Sequence, residues 1–313
     1  MIGHKHTDFT HPSHSSRLHH IWTGVIGDKL AIMVCAAFIF YCVVGMLAPL
    51  IAPYDVNSPD FVDLLNAEIA PYWISADERF LLGTDSQGRD LLSIILYGTR
   101  LSLTIGILAV AIQALIGICL GLISGYVGGR LDNFLMRFAD VQLSFSTIMT
   151  AIVFLALFQT AFGINVYEDL AMFMLILVIG LAEWPLFART VRASVLAEKQ
   201  KEYVDAARIM GISKTRIMFR HILPNTLTPV LVIFTIQIAN AIIAEAALSF
   251  LGLGMPSTDP SLGALISSGF RYLFSGAWWI CVIPSVALIG LILVMNLLGD
   301  WLRDYLNPRT YKH

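Results

Sequence analysis

Charge is what this chain has least of. Asp, Glu, Lys and Arg make up 13% of 313 residues, while apolar residues make up 57%; an ordinary soluble domain carries about 25% charged residues. No Asp, Glu, Lys or Arg occurs between Lys29 and Asp55, Arg100 and Arg130, Asp140 and Glu168, or Arg271 and Asp300. Each gap exceeds the roughly 20 residues a helix needs to cross the hydrocarbon. Two further apolar stretches, about 170–188 and 228–252, hold one acid each, Glu183 and Glu245. The pattern predicts an all-α polytopic membrane protein with six transmembrane helices near 30–52, 101–125, 143–163, 170–190, 228–252 and 278–299. Cysteine is scarce too. Cys35, Cys42, Cys119 and Cys281 all fall in apolar stretches without metal-ligand spacing, and read as small buried residues. No Ser or His finds a third partner for nucleophilic catalysis, so no catalytic residues are expected and the chain is not read as an enzyme.

What charge there is lies on one side. With the N-terminus in the cytoplasm, only Arg79, Arg89, Arg100 and Arg271 of the 20 Lys and Arg face outward. That bias predicts both termini inside. A basic inner rim suits anionic lipid, so membrane lipid is an expected partner and nucleic acid is not. The first apolar run starts late and is long, which predicts an anchor rather than a cleaved signal.

The expected layout is a cytoplasmic tail with an interfacial helix (1–29), a first transmembrane helix (30–52), an extracytoplasmic loop (53–100), a core of five transmembrane helices (101–305) carrying a cytoplasmic loop at 193–227, and a cytoplasmic tail (306–313). His4, His6, His11, His14, His19 and His20 crowd the start. No Cys lies among them and no ligand spacing of a metal site is formed, so a disordered tail is expected and no metal. Leu18, Ile21, Trp22, Val25 and Ile26 share one helical face, as an interfacial helix would, or an extension of the first span. The loop 53–100 either meets an external protein or caps the helices. Gly117, Gly121, Gly125 and Gly129 recur every four residues, a stripe that lets another backbone approach closely.

Three stretches invite a chemical reading. Gly83-Thr84-Asp85-Ser86-Gln87-Gly88-Arg89-Asp90 has the glycine spacing of a phosphate loop. Arg89-Asp90 replaces the required Lys-Ser/Thr and no strand pattern surrounds it, so nucleotide binding is rejected. Glu202–Pro224 is a polar, basic segment between apolar spans and must meet water, which suits a docking surface for another protein. Within it, 202–210 fits a short helix, with Tyr203, Ala207 and Met210 on one face. Gly211 can stop that helix in a left-handed conformation, and Pro224 is expected to mark the turn into the fifth span. Third, Gln237, Asn240 and Glu245 are polar groups in an apolar helix. They are pathway candidates, and Glu245 can equally bond neighbouring helices.

The spacing Asp205-Ala206-Ala207, Gly211, His221-Ile222-Leu223-Pro224 resembles the EAA loop of ABC-importer permeases, with Asp205 in place of Glu and His221 in place of Ile. LLGTDSQGRDLLS over 81–93, Gly128 through Asp140, Trp184 through Arg192 and Glu245 through Gly254 are similar to the oligopeptide/dipeptide/nickel branch, closest to its C-type subunit. Ser146 and Glu183 depart from that pattern. The resemblance implies a type I ABC-importer permease fold in a bacterial inner membrane, with half of a translocation pathway for short peptides. It implies an ATPase-coupling helix using Glu202, Tyr203, Asp205, Ala206, Ala207, Arg208, Gly211, His221 and Pro224. It also implies three kinds of partner: a second, non-identical permease, two ATPase subunits that carry the ATP and magnesium, and an extracytoplasmic binding protein. No cofactor is expected on this chain. A nickel or nickel-chelate cargo is the alternative within the family, with oligosaccharides behind it. A stand-alone secondary transporter is the alternative outside it, and would need paired intramembrane charges or inverted repeats.

Overall fold

The structure, a computed structural model, describes residues 29–56, 62–256, 258–259 and 261–306. The histidine-rich stretch, the expected interfacial helix over 18–26 and residues 307–313 lie outside the described residues. The fold is nearly all helical; one isolated bridge joins Thr84 and Asp90. The principal helices are α1 (Lys29–Ile51), α2 (Leu91–Val127), α3 (Gly129–Leu143), α4 (Thr147–Phe162), α5 (Ile164–Ala182), α6 (Trp184–Glu198), α7 (Glu202–Ile209), α8 (Leu223–Phe250), α9 (Leu262–Phe270) and α10 (Trp279–Leu306). By length and composition α1, α2, α5, α8 with its lead-in from Lys214, and α10 can each cross a membrane. Counting the pair α3 and α4, bent by 82° at 144–146, as one span brings the total to six among the described residues.

Element boundaries differ from the sequence expectation in instructive ways. Helix α2 begins at Leu91, inside the expected outer loop 53–100, and runs 37 residues. Asp90 caps it, accepting from the Ser93 amide at 2.8 Å and the Ser93 hydroxyl at 2.6 Å. Arg100 is exposed on that helix, so its charge marks where the helix enters the apolar layer, not where it starts. The span expected over 170–190 is broken at Glu183, with φ −115° and ψ 14°. Pro185 follows in the first turn of α6. It has no N–H to continue the helix above it and is well placed to open a new one. Helix α9 was not expected. It is too short to cross, and Ser261 caps it by accepting from the Ala264 amide at 3.2 Å.

Helix α2 is the central post, flanked by α1, α5, α6 and α8. Three of its four regularly spaced glycines explain the tightest contact. A Cβ on Gly117 would lie 2.3 Å from Phe187 Cβ, one on Gly121 2.5 Å from the Ala188 carbonyl, and one on Gly125 2.9 Å from Val195 Cβ. All three neighbours are on α6, so the stripe is where α6 rests on α2. Gly129 does not belong to it. That residue has φ +65° and open space around it, and it starts α3 after the chain turns at Gly128. Phe187, Val191 and Val195 of α6 are fully buried in this seam. Elsewhere Phe40, Met46 and Leu50 of α1 and many like them remain exposed, the apolar exterior that a lipid-facing protein needs.

Candidate functional site

The segment Glu202–Pro224 is more helical than a loop. Helix α7 packs through Val204 and Ala207, both buried against Ile217 and Ile222. It ends in a Schellman motif: the Gly211 amide donates to Arg208 O at 3.0 Å and the Ile212 amide to Ala207 O at 3.1 Å, with Gly211 at φ +76°. That geometry satisfies the last carbonyls of the helix. Outward it presents Glu202, Asp205, Ala206, Arg208, Ile209 and Met210. Asp205 and Arg208 pair at 2.7 Å. Two expectations are corrected. Met210 is 71% exposed and points away from Tyr203 and Ala207, because it caps the helix beyond its buried face. Of the two alanines, only Ala206 faces outward; Ala207 is packed against its own chain. Ile209, 87% exposed, was missed. Its signal was its place four residues after Asp205 on the outer face.

Pro224 does not mark a turn. An α-turn at Lys214–Arg216, a π-turn at Ile217–Ile222 and α8 follow one another without a break. The wider π-turn, in which the Leu223 amide donates to Met218 O, absorbs the N–H that Pro224 lacks. The His221 carbonyl accepts from Asn225 Nδ2 at 2.9 Å. Tyr203 ties α7 to this rod and to α6: its hydroxyl donates to Glu198 Oε2 at 2.7 Å and accepts from Asn225 Nδ2 at 3.3 Å. Burial first, and the Glu198 carboxylate second, hold that hydroxyl up at about 12, so it is a donor at any physiological pH.

Above α7, charged pairs bind α6 to α3. Arg192 donates to Asp132 through Nε at 2.5 Å and Nη2 at 2.7 Å. Ser124 of α2 donates to the same carboxylate, Arg189 pairs with Asp140, and Lys199 Nζ donates to Tyr126 O at 2.8 Å. The end of α2, α3, α6 and α7 thus form one tied block.

Mid-way along α8, Gln237 meets Glu183. Gln237 Nε2 donates to Glu183 Oε2 at 2.6 Å and to Gln113 Oε1 at 3.3 Å, and Thr147 Oγ1 donates to Glu183 Oε1 at 2.9 Å. Gln113 Nε2 donates in turn to Ile179 O at 3.0 Å, and Asn240 Nδ2 to Gln237 Oε1 at 2.7 Å. Gln113 and Gln237 are buried, Glu183 and Thr147 half-buried, and Asn240 exposed. Glu183 and Thr147 carry the two helix breaks, so both breaks meet here. Gln237 and Asn240 are two of the pathway candidates expected from the sequence; Glu183, an acid in an apolar stretch, joins them here. Glu245 is not part of this cluster. It is 0% exposed, and its oxygens accept from Ser102 at 3.1 Å and Ser249 at 2.7 Å. It bonds α2 to α8 and has no surface to offer a cargo.

The Gly83–Asp90 stretch is a fastening. The Asp85–Arg89 pair is buried at 2.7 Å. Thr84 Oγ1 donates to Asn66 O at 2.6 Å, and Thr84 O accepts from Trp279 Nε1 at 3.2 Å. Together these hold the segment before α2 onto α2 and α10. Burial pushes the carboxyl of Asp90 upward, against the hydrogen bonds from Ser93.

Comparison with known proteins fits this arrangement. Residues 117–312 match the family model described as binding-protein-dependent transport system inner membrane component. The chain is 34% identical to the dipeptide transport system permease protein DppC of Haemophilus influenzae, over 93% of this chain and 95% of that protein. It is 35% identical to the di/tripeptide transport system permease protein DppC of Pseudomonas aeruginosa, over 94% and 93%. It is 36% identical to the glutathione transport system permease protein GsiD of Pectobacterium atrosepticum, over 92% and 90%. Among solved structures, a chain of the MetNI methionine ABC transporter in inward-facing conformations aligns with TM-score 0.54 at 18% identity, covering 68% of this chain and 96% of that one. That likeness carries the fold alone.

Proposed function

The chain belongs to the family of binding-protein-dependent transport system inner membrane components, and from that premise we propose that its cargo is a short peptide and that α7 is the element that docks on the ATPase. The chain is a multi-span permease component of an ABC importer with a type I fold, and it is not itself an enzyme. ATP hydrolysis belongs to separate subunits, and a substrate-binding protein delivers the cargo. The observation that carries the docking reading is the outer face of α7. Asp205, paired along the same face with Arg208, is exposed there with Ala206 and Ile209, on a helix fixed behind by Val204, Ala207 and Tyr203 and closed by Gly211. A small alanine between an acid and a large apolar side chain suits a cleft, and the rigid backing lets a push pass on without loss. Glu202, Arg208, His221 and Pro224 set its edges. The peptide reading is supported by the names of the relatives, whose lengths this chain matches nearly end to end.

In this reading the complex holds a second, non-identical permease, two ATPases and an extracytoplasmic binding protein, with both termini of this chain in the cytoplasm. Closure of the ATPases displaces α7. The block of α3, α6 and the end of α2 follows, and the cluster at Gln237 and Asn240 passes from one side's access to the other's. The ATPases drive the change only through contacts that differ between their two states.

The test is reconstitution. The chain is co-purified through a C-terminal tag with whatever accompanies it, placed in liposomes with the binding protein and ATP, and offered radiolabelled alanyl-alanine or nickel ion. Peptide accumulation that needs ATP is the expected result. Nickel accumulation without peptide uptake would replace the cargo, and a chain that comes out with no ATPase would sink the docking assignment.

A further inference from the structure

Two acids lie within the apolar layer, and the structure treats them differently. Glu245 is sealed among serines and joins helices. Glu183 is half-buried, and its hydrogen-bond donors, Thr147 and Gln237, are neutral. Among the described residues no Lys, Arg or His pairs with it. An ionisable group at this depth is costly, and it is commonly found facing protein or water along a substrate route. Its surroundings here say which route. The hydrogen-bonded line from Glu183 through Gln237 ends at Asn240, which is exposed. On its other side, Gln142 donates to the carbonyl of Ala182, the residue before Glu183, at 3.5 Å. Gln142 also lines an open groove along α4 with Phe145, Met149, Thr150, Val153 and Phe154, most of whose side chains are exposed. Thr147 and Thr150 stand one turn apart on α4.

A carboxylate without a cation, close to an open apolar groove, matches a cargo that brings its own cation together with small side chains. We propose that Glu183 is the cation-recognising subsite of the pathway, taking the protonated amino group of a peptide as it passes between Asn240 and Thr147. This rests on the reading of the cargo as a peptide. The site asks for an ammonium group at one end and leaves varied side chains to the open apolar groove nearby, which is the discrimination a peptide pathway needs. No bond is made or broken; the amine exchanges water for the carboxylate and leaves again.

The deciding experiment uses the whole complex with its binding protein in proteoliposomes. Uptake of alanyl-alanine is measured beside uptake of N-acetyl-alanyl-alanine, which lacks the ammonium. The wild-type complex should favour the free amine by at least about tenfold. Glu183→Gln should cut that ratio at least about fivefold while ATPase rate and complex yield stay level, and Glu183→Asp should keep most of it. Ser102→Ala, which loosens the joint between α2 and α8 at Glu245 and lies outside this subsite, serves as the control for a merely structural role, and should lower both peptides together. A ratio unchanged in Glu183→Gln, or a loss in that variant that strikes both peptides equally, overturns the proposal. A wild-type complex that moves neither peptide removes the cargo reading beneath it, and does so before any variant is made.

Discussion

Arg192 holds Asp132 with two parallel bonds, Nε at 2.5 Å and Nη2 at 2.7 Å, across a sequence separation of 60 residues. The pair is the lock between α6, which leads directly to α7, and α3, which leads through an 82° bend into α4. Bidentate Arg–carboxylate pairs are among the strongest side-chain contacts. Asp132→Ala should cost about 2 kcal/mol of local stability and lower peptide moved per ATP hydrolysed. The exchange Asp132→Arg with Arg192→Asp should recover part of the loss. A double-mutant cycle on coupling ratio decides the matter: additive losses would mean the pair transmits nothing.

Gly211 is at φ +76° with open space around it, so the objection to a side chain is conformational. The left-handed region costs an L-residue about 1–2 kcal/mol, and more for a β-branched one. Gly211→Val should unwind the end of α7 and separate ATPase activity from uptake, and Gly211→Asn should be milder. Uptake unchanged in Gly211→Val would remove α7 from the coupling route.

Ile209 tests docking without touching the fold. Its side chain is 87% exposed, so Ile209→Asp should leave membrane insertion and yield unchanged. If the residue sits in an ATPase cleft, burying an unpaired carboxylate there should weaken association by at least about tenfold. Co-purification of the ATPase with the variant reads this directly.

Tyr203 makes a prediction about pH. Its hydroxyl is held up at about 12 in the folded chain against about 10 in an unfolded one. Both values lie above the working range, so neither state changes protonation below about pH 9 and the group adds no pH dependence there. Tyr203→Phe should therefore cost the same between about pH 6 and about pH 9, through loss of the bond to Glu198. A thermal-shift difference that varies across that range would point to Glu198 or a neighbour instead.

Gly121 tests the seam between α2 and α6. A Cβ there would lie 2.5 Å from the Ala188 carbonyl, and backbone cannot step aside as a flexible side chain can. Gly121→Leu should push the helices apart, at a cost of about 1–3 kcal/mol, visible as lost yield. The same change at Gly129, where nothing is near, tests backbone strain alone.

Much of this architecture was legible in the sequence, for plain reasons. A membrane span announces itself by the charges it lacks, so Lys29–Asp55 and Arg271–Asp300 located α1 and α10 without help from periodicity. Gly211 was legible because few residues tolerate its backbone. What stayed hidden depended on where breaks fall. The apolar run 170–190 gave no sign that Glu183 ends one helix and Pro185 begins another, since an acid near a helix end is also the mark of a surface. Arg100 misled in the opposite sense, as a charge standing on a helix rather than bounding it. Pro224 looked like a stop because proline usually is one, and only the π-turn before it made continuity possible. The faces of α7 were hidden for a different reason. Eight residues are too few for an apolar period to be read, so Met210 was assigned to the side that Val204 and Ala207 occupy.

The unbroken rod from Lys214 to Phe250 is pinned at two heights, by Gln237 to Glu183 and Gln113 and by Glu245 to Ser102. Gln237 lies near the middle of α8, about 20 Å from either end of that helix. The lead-in that backs α7 and the polar cluster are therefore parts of one continuous helix, and a displacement at the first reaches the second without crossing a loop.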